Sequence, residues 1–181
     1  MKKICVLICA CVFLLSSCAS IGEGVNGFLK KIHKTDEEIA LETFENVLAA
    51  IKDRDAAALK SLFSPKAVRE AENLDDQIEE LWNFFQGEVL SYDNWGGPGW
   101  NGHFDHFKRR VWLNGTYDVE TTEGIYHIAT QEFPEDEFDS DNIGLYSFYI
   151  ISGEEWSDGS AYWGDGEWLP GVHIEYEYTY R

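Results

Sequence analysis

Past residue 18 the chain has no cysteine. All four, Cys5, Cys9, Cys11 and Cys18, fall at the N-terminus. The rest can form no disulfide, offers no thiol nucleophile and gives no thiolate to a zinc site, so a folded body there must rest on its apolar core. Cations are the second shortage: 14 Lys and Arg stand against 33 Asp and Glu, a formal charge of −19. Such a surface repels phosphodiester backbones and anionic headgroups, which excludes nucleic acid as a partner and leaves cations, basic partners or plain solubility. Also missing is a long apolar run. The stretch 4–15 makes about 18 Å of helix against roughly 30 Å of hydrocarbon, too short for a lasting membrane span. What is present, 181 residues with 44% apolar and 15% aromatic side chains, suffices for one domain with a filled core.

Met1-Lys2-Lys3, the apolar run and the small residues behind it stand in the order of an export signal. Leu15-Ser16-Ser17-Cys18 resembles the lipobox of bacterial lipoproteins, which are cut just before the cysteine. That resemblance implies loss of residues 1–17, a diacylglyceryl thioether on Cys18 and usually an N-acyl chain, with the protein held extracytoplasmically at the bacterial membrane or cell surface. Burial is worth about 0.8 kcal/mol per CH2, so one acyl chain holds marginally and two or three hold firmly. An ordinary cleaved signal with an incidental cysteine is the alternative. Loss of Lys2 and Lys3, with no acid lost, takes the charge from −19 to −21. Residues 19–34, with Gly22, Gly24 and Gly27 and no sustained period, read with Cys18 as a flexible tether (18–34), and 35–181 as a single domain.

The domain opens on Thr35-Asp36-Glu37-Glu38, a capping box, followed by Ile39, Phe44, Val47, Leu48 and Ile51 on one helical face to about Lys52. Asp53-Arg54-Asp55 interrupts. Ala58, Leu59, Leu62 and Phe63 make a short second helix, and Ser64-Pro65 caps a third ending near Ala71. Leu74, Ile78, Leu81, Trp82 and Phe85 carry a fourth, which Gly87 closes. Beyond Glu88 the period becomes two, and strands are expected at 89–92, 117–122, 125–133, 143–151 and 172–180. Asn114-Gly115 is a hairpin signal, yet 111–122 also reads as one long strand bulged there, and the bulge is the expectation. Helices first and strands afterwards predict an α+β domain, its N-terminal helices packed on a curved antiparallel sheet.

FENVLAAIKDRDAAALKSLFSPKA, residues 44–67, resembles the opening of nuclear transport factor 2-like domains. YDVETTEGIYHIATQEF and IGLYSFYII resemble the sheet of the bacterial lipoprotein family called domain of unknown function 5104. The resemblance implies a cone whose concave sheet and long helix enclose a pocket, used by some relatives for catalysis and by others for binding. Trp82, Phe85, Tyr126, Phe148, Tyr149 and His127 are the pocket candidates. A general base would have to be His127 or Thr130 on the strand 125–133, Tyr149 on 143–151, or Glu88, and no matched dyad appears among them.

Three other stretches invite chemistry. In GWNGHFDHFKRR, residues 99–110, His103 and His106 are spaced for one face of a helix, but the surrounding glycines oppose a helix and a third ligand would have to come from distant His127 or His173. The expectation is no metal, a solvated loop and a basic strand start. Asp136, Asp139, Asp141 and Asn142, and separately Asp158, Asp165 and Glu167, leave calcium open without EF-hand spacing, because Ile143 stands where an oxygen ligand belongs. In residues 153–171 Trp156, Trp163 and Trp168 stand with Tyr162 among acids, a composition that grips sugars or cations, or else covers the sheet. Taken together, the residues predict a lipid-anchored module without a cofactor, binding a small molecule, a glycan or a basic protein. The rivals are a pocket enzyme of the same fold using a cavity His or carboxylate, and an acidic interaction or immunity-type protein.

Overall fold

The computed structural model describes residues 34–95, 97–153 and 168–174. The chain divides into two compact units after Thr35, and the described helices and strands belong to the second, Asp36–Arg181. Its described helices are α1 (Asp36–Asp53), α2 (Ala56–Leu62), α3 (Pro65–Glu70) and α4 (Leu74–Phe84). The strands are β1 (Val89–Asn94), β2 (Gly99–Asp105), β3 (Lys108–Thr121), β4 (Ile125–Asp136), β5 (Gly144–Ser152) and β6 (Gly171–Ile174). No described helix is long and apolar enough to cross a membrane.

The helix boundaries reflect side-chain chemistry. The Asp55 carboxylate accepts the Ala58 amide at 2.9 Å and opens α2, and Ser64 Oγ accepts the Ala67 amide at 3.0 Å and opens α3 ahead of Pro65. Asn73 starts α4 from a left-handed conformation, its side chain bonded to Asp76 instead of to the helix backbone.

The protein is α+β, but the sheet is mixed where an antiparallel one is expected. The order is β1-β3-β4-β5-β6, every pairing antiparallel except β5 with β6. β1 and β2 lie end to end on the same edge of β3, opposite residues 117–121 and 108–114. β3 is indeed one long strand, but its bulge is not at Asn114-Gly115. The extra residue belongs to β4, where Phe133 and Pro134 together face Trp112; Leu90 and Tyr146 bulge β1 and β5 in the same way. Gly115 serves another purpose. A Cβ there would stand 2.7 Å from the Tyr117 ring, which lies back over the glycine so that its hydroxyl donates to the Ala40 carbonyl of α1 at 3.1 Å.

Period-two alternation then sorts the faces. Tyr117, Val119, Tyr126, Ile128, Leu145, Phe148, Ile150 and Val172 point at the helices and join Phe44, Val47, Leu48, Ile51, Leu59, Ile78, Leu81 and Trp82 in one buried core. Asp118, His127, Ala129, Gln131, Ser147, Tyr149 and His173 share the opposite face by register.

Candidate functional site

The space between α1 and the middle of the sheet is occupied by side chains. The Phe44 ring stacks on Tyr117 with centroids 3.7 Å apart and planes 9° from parallel, and Tyr92 meets Phe44 edge-on at 5.2 Å. Trp82, Phe85, Tyr126 and Phe148 are buried in the same core. The Tyr126 hydroxyl is tied down twice, donating to the Phe84 carbonyl at 3.2 Å and accepting the Gln86 amide at 2.9 Å. Phe85 also lines an open cavity of about 350 Å³ at the seam of α1 and β1, with Ile51 and Val89 as apolar walls and Lys52, Arg54 and Glu88 as charged ones.

One acid enters this interior. Glu132 is 5% exposed and pairs across the strands with Leu113 and Leu145. The Thr43 hydroxyl of α1 donates to it at 2.6 Å. Burial pushes its pKa up to about 7, with Glu42 adding to the rise and the Thr43 hydrogen bond opposing it. Burial raises the Tyr117 phenol as well, and the nearby Glu132 charge adds to it. A carboxyl that changes charge near neutrality can give or take a proton, and Glu132 is absent from the sequence-derived candidates. The signal for it is parity: Tyr126, Ile128 and Thr130 face the helices, so Glu132 must, whereas His127 and Tyr149 must face away.

That other face carries its own polar order. His127 Nδ1 lies 2.5 Å from the Asp118 carboxylate, and Trp95 meets the imidazole edge-on at 5.7 Å. Tyr149 stacks on His173 at 4.6 Å and meets Trp168 edge-on at 5.5 Å. Residue 169 is clasped there. The Leu169 amide donates to the Tyr149 hydroxyl at 3.0 Å, while its carbonyl accepts from Ser147 Oγ and lies 3.1 Å from His173 Nε2. Burial lowers the His173 pKa, with backbone hydrogen bonds at Leu169 and Pro170 opposing, and so favours a neutral ring. The described end of the tryptophan-rich stretch thus covers the sheet; Trp156, Tyr162, Trp163, Asp158, Asp165 and Glu167 lie outside the described residues.

His103 sits in a strand where a loop is expected, while His106 lies in the exposed turn of the β2–β3 hairpin, ahead of the basic strand start at Lys108. His103 lies in β2 with its ring 5.4 Å from Phe138, and His106 lies in the turn with Nδ1 2.7 Å from its neighbour Asp105. Among the described residues no three His, Cys, Asp or Glu gather as a metal would need. The acids at 136–142 are engaged by protein donors. Asp136 accepts from Arg110 Nε at 2.6 Å, Asn142 Nδ2 at 2.9 Å and the Phe138 and Asp139 amides at 2.9 and 3.0 Å. Asp139 and Asp141 pair with Lys66 and Arg69. Burial opposes ionisation of Asp136, but the hydrogen bonds from Asn142, Arg110 and the two amides outweigh it and hold the carboxyl below its ordinary value. This is a structural knot fastening the 136–142 turn to β3. Asp136→Ala is expected to cost about 2–3 kcal/mol at pH 7, since it strands a half-buried guanidinium and two amides. Because the folded pKa is lowered, urea titrations should show that difference shrinking as the pH falls below about 4.

A search of the curated proteins finds no match to the chain. The family model of Domain of unknown function (DUF5104) matches residues 46–153, from the middle of α1 to the end of β5. By that match, which spans more than half of its length, the chain belongs to this family.

Proposed function

We propose that this is an extracytoplasmic bacterial lipoprotein, freed of residues 1–17 and anchored by acyl chains on Cys18, whose α+β domain is a nuclear transport factor 2-like cone acting as a non-catalytic binding or interaction module. A tether of residues 18–34 would carry the domain. The filled interior carries this reading. With Phe44 stacked on Tyr117 and with Trp82, Tyr126 and Phe148 buried beside them, binding falls to the exterior: the 350 Å³ seam cavity and the exposed aromatic residues. The cone itself is supported by the long α1 and short α2 ending in Leu62-Phe63-Ser64 and, after α3 and α4, a sheet bulged in three of its strands.

Glu132 favours a second reading, an enzyme whose buried carboxyl works as acid or base beside Thr43. Its hydrogen bonding and tight surroundings speak for the first. For the anchor, cell fractionation compares wild type with Cys18→Ser. The wild type is expected in the membrane fraction and extractable only by detergent, while the variant is expected to leave the detergent phase. A variant that stays with the wild type would refute the anchor.

A further inference from the structure

The β2–β3 hairpin breaks two rules of hairpin construction at once. Its two-residue turn holds His106 at φ 47° and Phe107 at φ 63°, a left-handed pair that ordinarily calls for glycine or asparagine and that a bulky aromatic adopts only with strain. Phe107 is also 98% exposed and Phe104 72%. On the same face as Phe104 the Trp100 ring lies over Gly102, where a Cβ would stand 2.5 Å from it, so an apolar strip runs from Trp100 to the tip. Strain and exposed aromatic surface gathered on one projecting element point to a contact made elsewhere.

The chain's own course says what that contact is. Ile39 and Ala40, in the first turns of α1, pack against Val111 and Leu113 of β3, next to the hairpin. The polypeptide coming from Cys18 therefore enters the domain at the end from which the hairpin projects. Val111 to Phe107 is about 14 Å of strand, and on the tether reading proposed above the 18 residues from Cys18 to Asp36 would span about 25 Å, which would put the tip within reach of the anchoring surface. An acidic body is repelled by anionic headgroups, and only a non-acidic projection can bridge the gap. The hairpin carries Lys108-Arg109-Arg110, the longest unbroken cationic run in the sequence. Arg109 and Arg110 are already paired with Glu135 and Asp136, which leaves the aromatic side chains to supply the affinity.

We infer that the β2–β3 hairpin is a second membrane contact, its tip residues Phe107 and Phe104 seated in the headgroup layer of the bilayer that holds the acylated Cys18. This rests on the lipoprotein reading above. The test uses the processed, lipidated protein in vesicles of phosphatidylethanolamine and phosphatidylglycerol at 3:1. His106→Cys supplies the only free thiol for an environment-sensitive fluorophore, because the Cys18 sulfur is in thioether linkage. Blue-shifted emission quenched by brominated lipid is expected, and Phe104→Ser with Phe107→Ser should abolish both while leaving acylation intact. The same pair should weaken the hairpin's lipid partitioning at least tenfold. A fluorophore that reports water in the acylated protein overturns the hairpin contact and leaves the anchor standing. A blue shift that brominated lipid does not quench also overturns it, and assigns the tip to a protein surface such as a second copy. Protein without the acyl group fails the anchor itself.

Discussion

Glu132→Gln is expected to be more stable than the wild type at pH 8 by up to about 3 kcal/mol, and no more stable at pH 4. The amide copies the protonated acid: it keeps an acceptor for the Thr43 hydroxyl and carries no charge. In the unfolded chain the glutamate loses its proton near its ordinary value of 4.5, but in the folded protein only near 7. Between those values the native state holds one proton more than the unfolded state, so the wild type loses stability as the pH rises through the interval, at about 1.4 kcal/mol per unit. Above it both states are ionised and the deficit is constant; below it both are protonated and the deficit vanishes. Urea unfolding of the two proteins from pH 4 to pH 8 reads this directly. A difference between them that does not change with pH would mean that the Glu132 charge is solvated or compensated in the fold. It would also leave the acid nothing unusual with which to do proton chemistry.

Phe44→Ala is the second large effect, expected to cost about 3–5 kcal/mol by thermal or chemical unfolding. The ring is fully buried, stacks on Tyr117 and receives the edge of Tyr92. Its loss opens a hole between α1 and the sheet that rigid strand neighbours cannot close, and it frees Tyr117, whose hydroxyl ties β3 to the Ala40 carbonyl. The same truncation at Phe107, 98% exposed at a strained turn, should cost nothing measurable. A Phe44→Ala protein within about 1 kcal/mol of the wild type would contradict the filled interior and return the cone to the list of ligand sites.

How much of the fold can be read from sequence depends on how local the determining physics is. Capping is local, so Asp55 and Ser64-Pro65 mark their helices and the structure bears them out. The apolar run 143–151 becomes β5, shifted by a single residue, because burial on both faces writes itself into composition. The hairpin strand β2 is hidden, since the glycines of residues 96–102 resemble a loop and only pairing with β3 shows Gly99–Asp105 as an edge strand. Asn114-Gly115 carries a genuine turn signal that tertiary packing overrides, the glycine being spent on the close approach of Tyr117. β6 pairs parallel with β5, and Gln77 of α4 accepts its Val172 amide at 3.0 Å through the side-chain oxygen, a contact no local pattern announces. Of the site, Trp82, Phe85, Tyr126 and Phe148 are expected as pocket walls and are found packed in the core, while Tyr149 lies on the other face of the sheet. Glu132 is not legible, because one acid in an apolar strand is recognised only after the register assigns it a face.

The N-terminus of the protein recovered from membranes is the most direct test of where the protein works. Mass spectrometry of its first proteolytic peptide should find a chain beginning at Cys18, with the sulfur carrying diacylglycerol and the amine acylated or free. A peptide that begins at another residue, or at Cys18 with an unmodified thiol, would contradict the account and leave the acidic domain without its anchor.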